Sequence, residues 1–220
     1  MFREWAPNAK EIYLIGDFND WKEHGDYRMY HVKNSPGVWE VELQSGAIKH
    51  GDLYKLKVRW NGGEGERIPA WANRVVQDEQ TKIFSAQVWE PENPYRFRKK
   101  VFRAKTDPLM IYECHIGMAQ EEERVGTYNE FREKILPRIA EAGYNCIQIM
   151  AIQEHPYYGS FGYHVSSFFA PSSRFGTPDE LKELIDTAHR MGIAVIMDIV
   201  HSHAVKNEVE GPVSYTHLRA

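Results

Sequence analysis

The stretch Ile193-Ala194-Val195-Ile196-Met197-Asp198-Ile199-Val200, followed at once by His201-Ser202-His203, carries the decisive pattern. A short, nearly unbroken apolar run reads as a strand covered on both faces, which is the pattern of a parallel sheet. One carboxylate, Asp198, interrupts the run near its end. Burying a carboxylate is costly unless it is paired or hydrogen-bonded. At the carboxyl end of a parallel strand it sits where barrel enzymes build their sites. The plainer reading is an Asp that caps a loop or holds a neighbouring Arg.

Working outward, Thr177-Pro178-Asp179-Glu180 is a helix start, with a capping Thr, a Pro at the first helical position and a Glu completing a capping box. Leu181, Leu184, Ile185, Ala188 and Met191 form the buried stripe of that helix, and Gly192 ends it. Cys146 to Ala151 is a second apolar strand, and Leu109 to His115 a first. Between them Asn129 is expected to cap a helix whose stripe is Phe131, Ile135, Leu136, Ile139 and Ala142, ending at Gly143. Pro137 lies inside this helix and should bend it. A long loop is expected from Gln153 to about Gly176. The β-α-β-α-β order belongs to a Rossmann-like sheet or a barrel. No G-x-G-x-x-G follows a strand, which argues against a dinucleotide site.

Before residue 105 the pattern changes to short alternating segments separated by turns. Glu11 to Ile15, Val38 to Leu43, Leu53 to Trp60 and Ile83 to Trp89 are the strand candidates, an antiparallel sandwich by their spacing. The expected division is a sandwich over 1–90, a Pro-rich and charged linker over 91–105, and the first βα units of a barrel over 106–210. A net charge of −4 gives no nucleic-acid or anionic-membrane footprint. No apolar run approaches the ~18 residues of a membrane span. The two cysteines, Cys114 and Cys146, lie in apolar runs and read as reduced, packed thiols of a cytoplasmic protein.

The chemistry at the rim has two readings. His201-x-His203 can place two imidazoles on one metal ion, with His115, His155 or His164 as further ligands. Alternatively Asp198 and the histidines hydrogen-bond sugar hydroxyls. Spacing alone does not separate these. The loop His155-Pro156-Tyr157-Tyr158-Gly159-Ser160-Phe161-Gly162-Tyr163-His164 favours sugar, because aromatic faces beside polar tips suit a pyranose ring. The competing reading of that loop is a packing plug. In the sandwich, Trp21 and Trp60 are candidate glucan-stacking residues, each with a core role as the alternative.

Ile196 to Ala204, with its His-Ser-His-Ala ending, resembles the first conserved region of the α-amylase superfamily in the form found in glycogen and starch branching enzymes. Phe161-Gly162-Tyr163, Phe175 to Leu181, Tyr112 to Gly117 and Tyr144 to His155 resemble the flanking motifs, the last in its eukaryotic form. Arg3 to Ala9 and Gly16 to Trp21 resemble that family's N-terminal carbohydrate-binding module. The resemblance runs to about Gly211 and implies a multidomain β plus α/β protein: an immunoglobulin-like β-sandwich followed by an incomplete (β/α)8 TIM barrel. It implies a monomeric enzyme without cofactor or metal that cuts α-1,4-glucan and rejoins it by an α-1,6 bond, with glycogen, amylose or amylopectin as partner. Tyr163, Asp198 and His203 are implied as substrate-binding residues. A debranching or hydrolytic member of the superfamily, a glucan-binding remnant and a metal-dependent barrel hydrolase are the alternatives.

The family's nucleophile and acid/base follow its fourth and fifth barrel strands, so no catalytic carboxylate is expected within this chain. A full barrel needs roughly 250 residues. The polypeptide as written is therefore expected to be inactive, and its open third strand to promote aggregation. Phe2 to Trp5 reads as mid-sandwich, so a preceding strand is expected to be missing, and residues 211–220 are expected to be a non-native tail.

Overall fold

The computed structural model describes residues 1–104, 108–202, 204 and 205. The expected tail over 211–220 and the candidate residue His203 lie outside the described residues.

The first half folds as two antiparallel sheets. The strands are β1 (Phe2–Trp5), β2 (Ala9–Gly16), β3 (Tyr30–His31), β4 (Val38–Val41), β5 (Leu53–Trp60), β6 (Gly63–Arg67), β7 (Val75–Gln77) and β8 (Phe84–Gln87). One sheet has the order β1-β4-β3 and the other β2-β5-β8-β7, with β6 also paired to β5. Alternation decides which faces meet: Trp39 and Val41 of β4, Ile12 and Leu14 of β2, and Leu56 and Val58 of β5 point into one buried cluster. The indole of Trp39 keeps its polar edge satisfied by donating to the Ala6 carbonyl at 3.0 Å.

Glu4 is buried in this half, where a strand residue of its type would ordinarily face water. Its carboxylate accepts the Trp5 and Ala70 backbone N–H groups at 2.9 and 2.7 Å, tying β1 to the 68–72 segment. Burial outweighs these two bonds and pushes its pKa up to about 7.

The second half contains three parallel strands among the described residues, β9 (Ile111–Cys114), β10 (Cys146–Ile149) and β13 (Ala194–Met197), in the order β13-β10-β9. Between β10 and β13 the expected loop contains a short antiparallel pair, β11 (Gln153–Glu154) and β12 (Ser167–Pro171), whose register shifts at its only two paired positions. Two strand residues followed by a bulge leave no period to read, which is why this pair escaped the sequence reading.

The first crossover helix begins as α1 (Tyr128–Glu130), continues through a π-helical turn over Phe131–Ile135 and runs on as α2 (Leu136–Glu141). Its cap is Thr127 rather than Asn129: Thr127 Oγ1 accepts the Glu130 N–H at 3.2 Å, and Glu130 closes the box on the Thr127 N–H at 3.1 Å. The Asn129 amide instead donates to Glu180 of the next helix at 2.6 Å. The π turn accommodates Pro137, which has no N–H to donate: Leu136 donates to Phe131, five residues back, and Pro137 enters at the start of the next regular segment.

The second crossover helix, α3 (Pro178–Arg190), has the expected Thr177–Glu180 capping box. Its Asp186 is fully buried and accepts Tyr95 Oη at 2.7 Å and the Arg98 and Lys99 N–H groups at 3.0 and 2.9 Å. The charged connecting segment is thereby fastened to the outside of the strand–helix layer. Arg74 fastens the sandwich to the same helix start by donating to the Gly176 carbonyl at 2.8 Å.

The expectation that β13 is covered on both faces is corrected. Ile196, Met197 and Ile199 are 40%, 41% and 47% exposed. Among the described residues β13 pairs with one strand, β10.

Candidate functional site

Asp198 follows β13 directly, and its N–H donates to the Ile149 carbonyl at 3.0 Å, which holds the strand end in register with β10. The half-buried carboxylate is gripped on both oxygens. Gln148 Nε2 donates to Oδ1 at 2.9 Å, and Tyr163 Oη donates to Oδ2 at 3.2 Å. Burial comes first, and the charges of Asp198 and Glu113 add to it, in raising the Tyr163 pKa above the ordinary phenol range. Tyr163 therefore stays a neutral donor at physiological pH.

The turn before Tyr163 explains how it reaches Asp198. Phe161 has φ 53° and Gly162 φ 89°, and a Cβ on Gly162 would overlap the Ala151 carbonyl oxygen. Only glycine fits that approach. Tyr163 N–H then donates to the Ser160 carbonyl at 3.0 Å, closing the turn.

Beneath the loop, Gln153 uses both ends of its amide: Nε2 donates to the Phe168 carbonyl at 3.0 Å and Oε1 accepts the Val200 N–H at 2.9 Å. The segment after Asp198 is thus joined to β11 and β12. Glu154, fully buried, accepts the His155 and Ser173 N–H groups at 3.0 and 2.7 Å and the Ser172 hydroxyl at 3.3 Å. Burial pushes its pKa up. These are scaffold interactions that tie the loop's base to β11, β12 and the segment after Asp198.

The structure therefore brings Tyr163 and Asp198 together. His201 is exposed and lies parallel to the Phe168 ring, with centroids 6.3 Å apart. His115 is enclosed by the edges of Tyr158, Phe161 and Phe175, and burial lowers its pKa. Among the described residues, no three His, Cys, Asp or Glu side chains converge as a metal site would require.

The two sandwich candidates differ from each other. Trp21 is 37% exposed, and its indole N–H is tied to Asp17 at 3.0 Å. Trp60 is half-buried, with Arg67 over its ring at 5.1 Å and Gly63 and Gly65 packed closely against it. The more open aromatic surface is elsewhere. Trp71 stacks on Phe169 of β12 at 4.7 Å, and the two are 60% and 55% exposed. They border a groove of about 580 Å³ that also reaches Trp5, Phe168 and His201. A single Trp in a loop gave no sequence signal; its role depends on Phe169, nearly a hundred residues away.

Residues 81–210 match the alpha amylase catalytic-domain family, and residues 1–72 match carbohydrate-binding module 48, the isoamylase N-terminal domain. The chain belongs to the alpha amylase catalytic-domain family. It is 46% identical to the 1,4-alpha-glucan-branching enzyme of Dictyostelium discoideum over 216 residues, covering 96% of this chain and 31% of the relative. It is 49% identical to the 1,4-alpha-glucan-branching enzyme 2-2, chloroplastic/amyloplastic, of Arabidopsis thaliana over 217 residues, covering 96% of this chain and 26% of the relative. The chain thus spans about 30% of the length of the curated relatives it matches. Among solved structures, a putative alpha amylase from Salmonella typhimurium superposes with a TM-score of 0.70 at 26% identity, over 90% of this chain and 30% of that one.

Proposed function

We propose that this chain is the sandwich and first barrel portion of a 1,4-α-glucan branching enzyme, which cuts an α-1,4-glucan and rejoins the freed segment through an α-1,6 bond. The observation that carries the reading is the Tyr163–Asp198 pair at the carboxyl end of β13. It occurs in a chain whose relatives bearing the branching-enzyme name are 46% and 49% identical over nearly all of it. Tyr163 offers a ring face for one glucose unit and Asp198 accepts its hydroxyls, with His203 as a third contact. Asp198 holds the sugar; the nucleophile and acid/base of this retaining chemistry are two other carboxylates. The partner is α-1,4-glucan, handled by a monomeric enzyme without nucleic-acid, membrane or cofactor requirement.

The sandwich adds a second point of hold on the glucan. The exposed Trp71–Phe169 stack supports a glucan contact there better than Trp60, whose ring is covered, while Trp21 retains a partly open face. The division into sandwich, connector and barrel near residues 90 and 105 rests on β8 ending at Gln87 and β9 beginning at Ile111. A cytoplasmic setting is supported by two buried, unpaired cysteines. No helix among the described residues is long and apolar enough to cross a membrane.

The test replaces the matching segment of the Dictyostelium relative with these residues and incubates the chimaera with amylose. New α-1,6 linkages, counted by proton NMR without a matching rise in reducing ends, support branching. Net hydrolysis with no new α-1,6 signal assigns the chain to a hydrolytic member of the family.

A further inference from the structure

Gln148 sits at the third position of β10, opposite Glu113 on β9 and Ile196 on β13. It is the one polar side chain in Cys146–Ile149, and a strand buried at this depth has no packing need for an amide. Its amide N–H donates to Asp198 Oδ1 at 2.9 Å, while Tyr163 holds Oδ2 at 3.2 Å. A carboxylate held on one oxygen alone can rotate about its terminal bond; held on both, it presents its remaining lone pairs in a fixed plane. We propose that Gln148 is a positioning residue for glucan transfer, fixing the plane of Asp198 so that its free lone pairs meet two hydroxyls of one glucose unit.

The inference rests on the reading of Asp198 as a sugar-holding residue. The groups facing Gln148 are Asp198 beyond β13 and its register partner Glu113 on β9, with Tyr163 from the loop bonded to the same Asp198 and sensing the charge of Glu113. The neutral amide donor of Gln148 steadies Asp198 without removing its charge. A Glu at this place supplies a donor only when protonated. Ionised, it adds a third negative charge next to Asp198 and Glu113.

The experiment uses the chimaera described above, carrying Gln148→Leu, Gln148→Glu or Asp198→Asn, with kcat and KM for branching measured from pH 5 to pH 8. Loss of a hydrogen bond to a charged group predicts that Gln148→Leu lowers kcat/KM on the order of 10- to 100-fold at every pH. Gln148→Glu, close in shape to the original, should be at least as impaired at pH 8 and recover towards the parent as pH falls. That recovery is internal to one folded protein, so a general folding defect does not mimic it. If Asp198→Asn is impaired while Gln148→Leu matches the parent, the positioning role is overturned and the sugar site stands. If Gln148→Glu shows no recovery relative to Gln148→Leu, the positioning role is likewise overturned. If Asp198→Asn matches the parent, the sugar-site reading itself fails, and the role of Gln148 falls with it.

Discussion

Replacing Glu4 by Gln should flatten the pH dependence of the sandwich's stability. Glu4 is 1% exposed, and its pKa is raised from 4.5 to about 7 because burial disfavours the ionised form more than its two backbone N–H donors favour it. The sign follows from which state binds the proton more tightly. The folded value lies above the unfolded one, so the contribution of this group is fully present below pH 4.5 and is lost as pH rises through about 7. A gap of this size, at 1.36 kcal/mol per pKa unit, corresponds to about 3 kcal/mol lost between pH 4.5 and pH 8. Gln keeps one acceptor oxygen and turns an NH2 group towards a backbone N–H. This shifts stability by an amount that does not vary with pH.

The assay is urea unfolding followed by tryptophan fluorescence. All six tryptophans lie between Trp5 and Trp89, so the signal reports the sandwich, with Trp71 also sensing Phe169 of β12. Subtracting the Glu4→Gln profile from the parent's removes every other titrating group. The expected difference is a parent that is more stable than the variant at pH 4.5 and loses about 3 kcal/mol relative to it by pH 8. Parallel profiles across that range would refute the reasoning.

Gly162→Ala should displace the loop that carries Tyr163, since the added methyl meets the Ala151 carbonyl at a positive φ; a loss of about 2–4 kcal/mol in unfolding free energy is expected. Retention of full stability would contradict this. Asp186→Ala removes three hydrogen bonds to residues 95–99, and faster limited proteolysis of the 91–105 segment is the expected result. The Asp186 pKa is lowered by the Tyr95 hydroxyl and the two backbone donors against the opposing effect of burial. The tether should therefore hold above the ordinary Asp pKa and weaken as pH falls through the lowered folded value. Purified alone, the 220-residue polypeptide should self-associate through the side of β13 that has no strand partner among the described residues, and a monomer by sedimentation at tens of micromolar would argue otherwise.

Periodicity exposed the parts of the fold in which it is strong. The alternating faces of β4 and β5 and the stripe and capping box of α3 could be read directly, because each is a local pattern matched by its burial. Where a residue's role depends on a distant partner, local pattern fails. Asn129 looked like a cap, but the better signal was Thr127 with Glu130 three residues on, and Asn129 proved to serve Glu180. Asp198 stood out as a charge among aliphatics, and Tyr163 through its aromatic loop. Gln148 did not, since a neutral amide in a strand is unremarkable until Asp198 is seen beside it. Trp60 shows the reverse: it reads as a candidate stacking residue with a core role as the alternative, and Arg67 from the neighbouring strand lies over its ring.

The central claim is that Tyr163 and Asp198 form a glucose-holding site, and a crystal structure of the chimaera soaked with maltopentaose tests it most directly. The account predicts one glucose ring lying against the Tyr163 face with two of its hydroxyls on Asp198, whose other contacts remain Gln148 and Tyr163. A maltopentaose bound elsewhere, with Asp198 making no sugar contact, would contradict it.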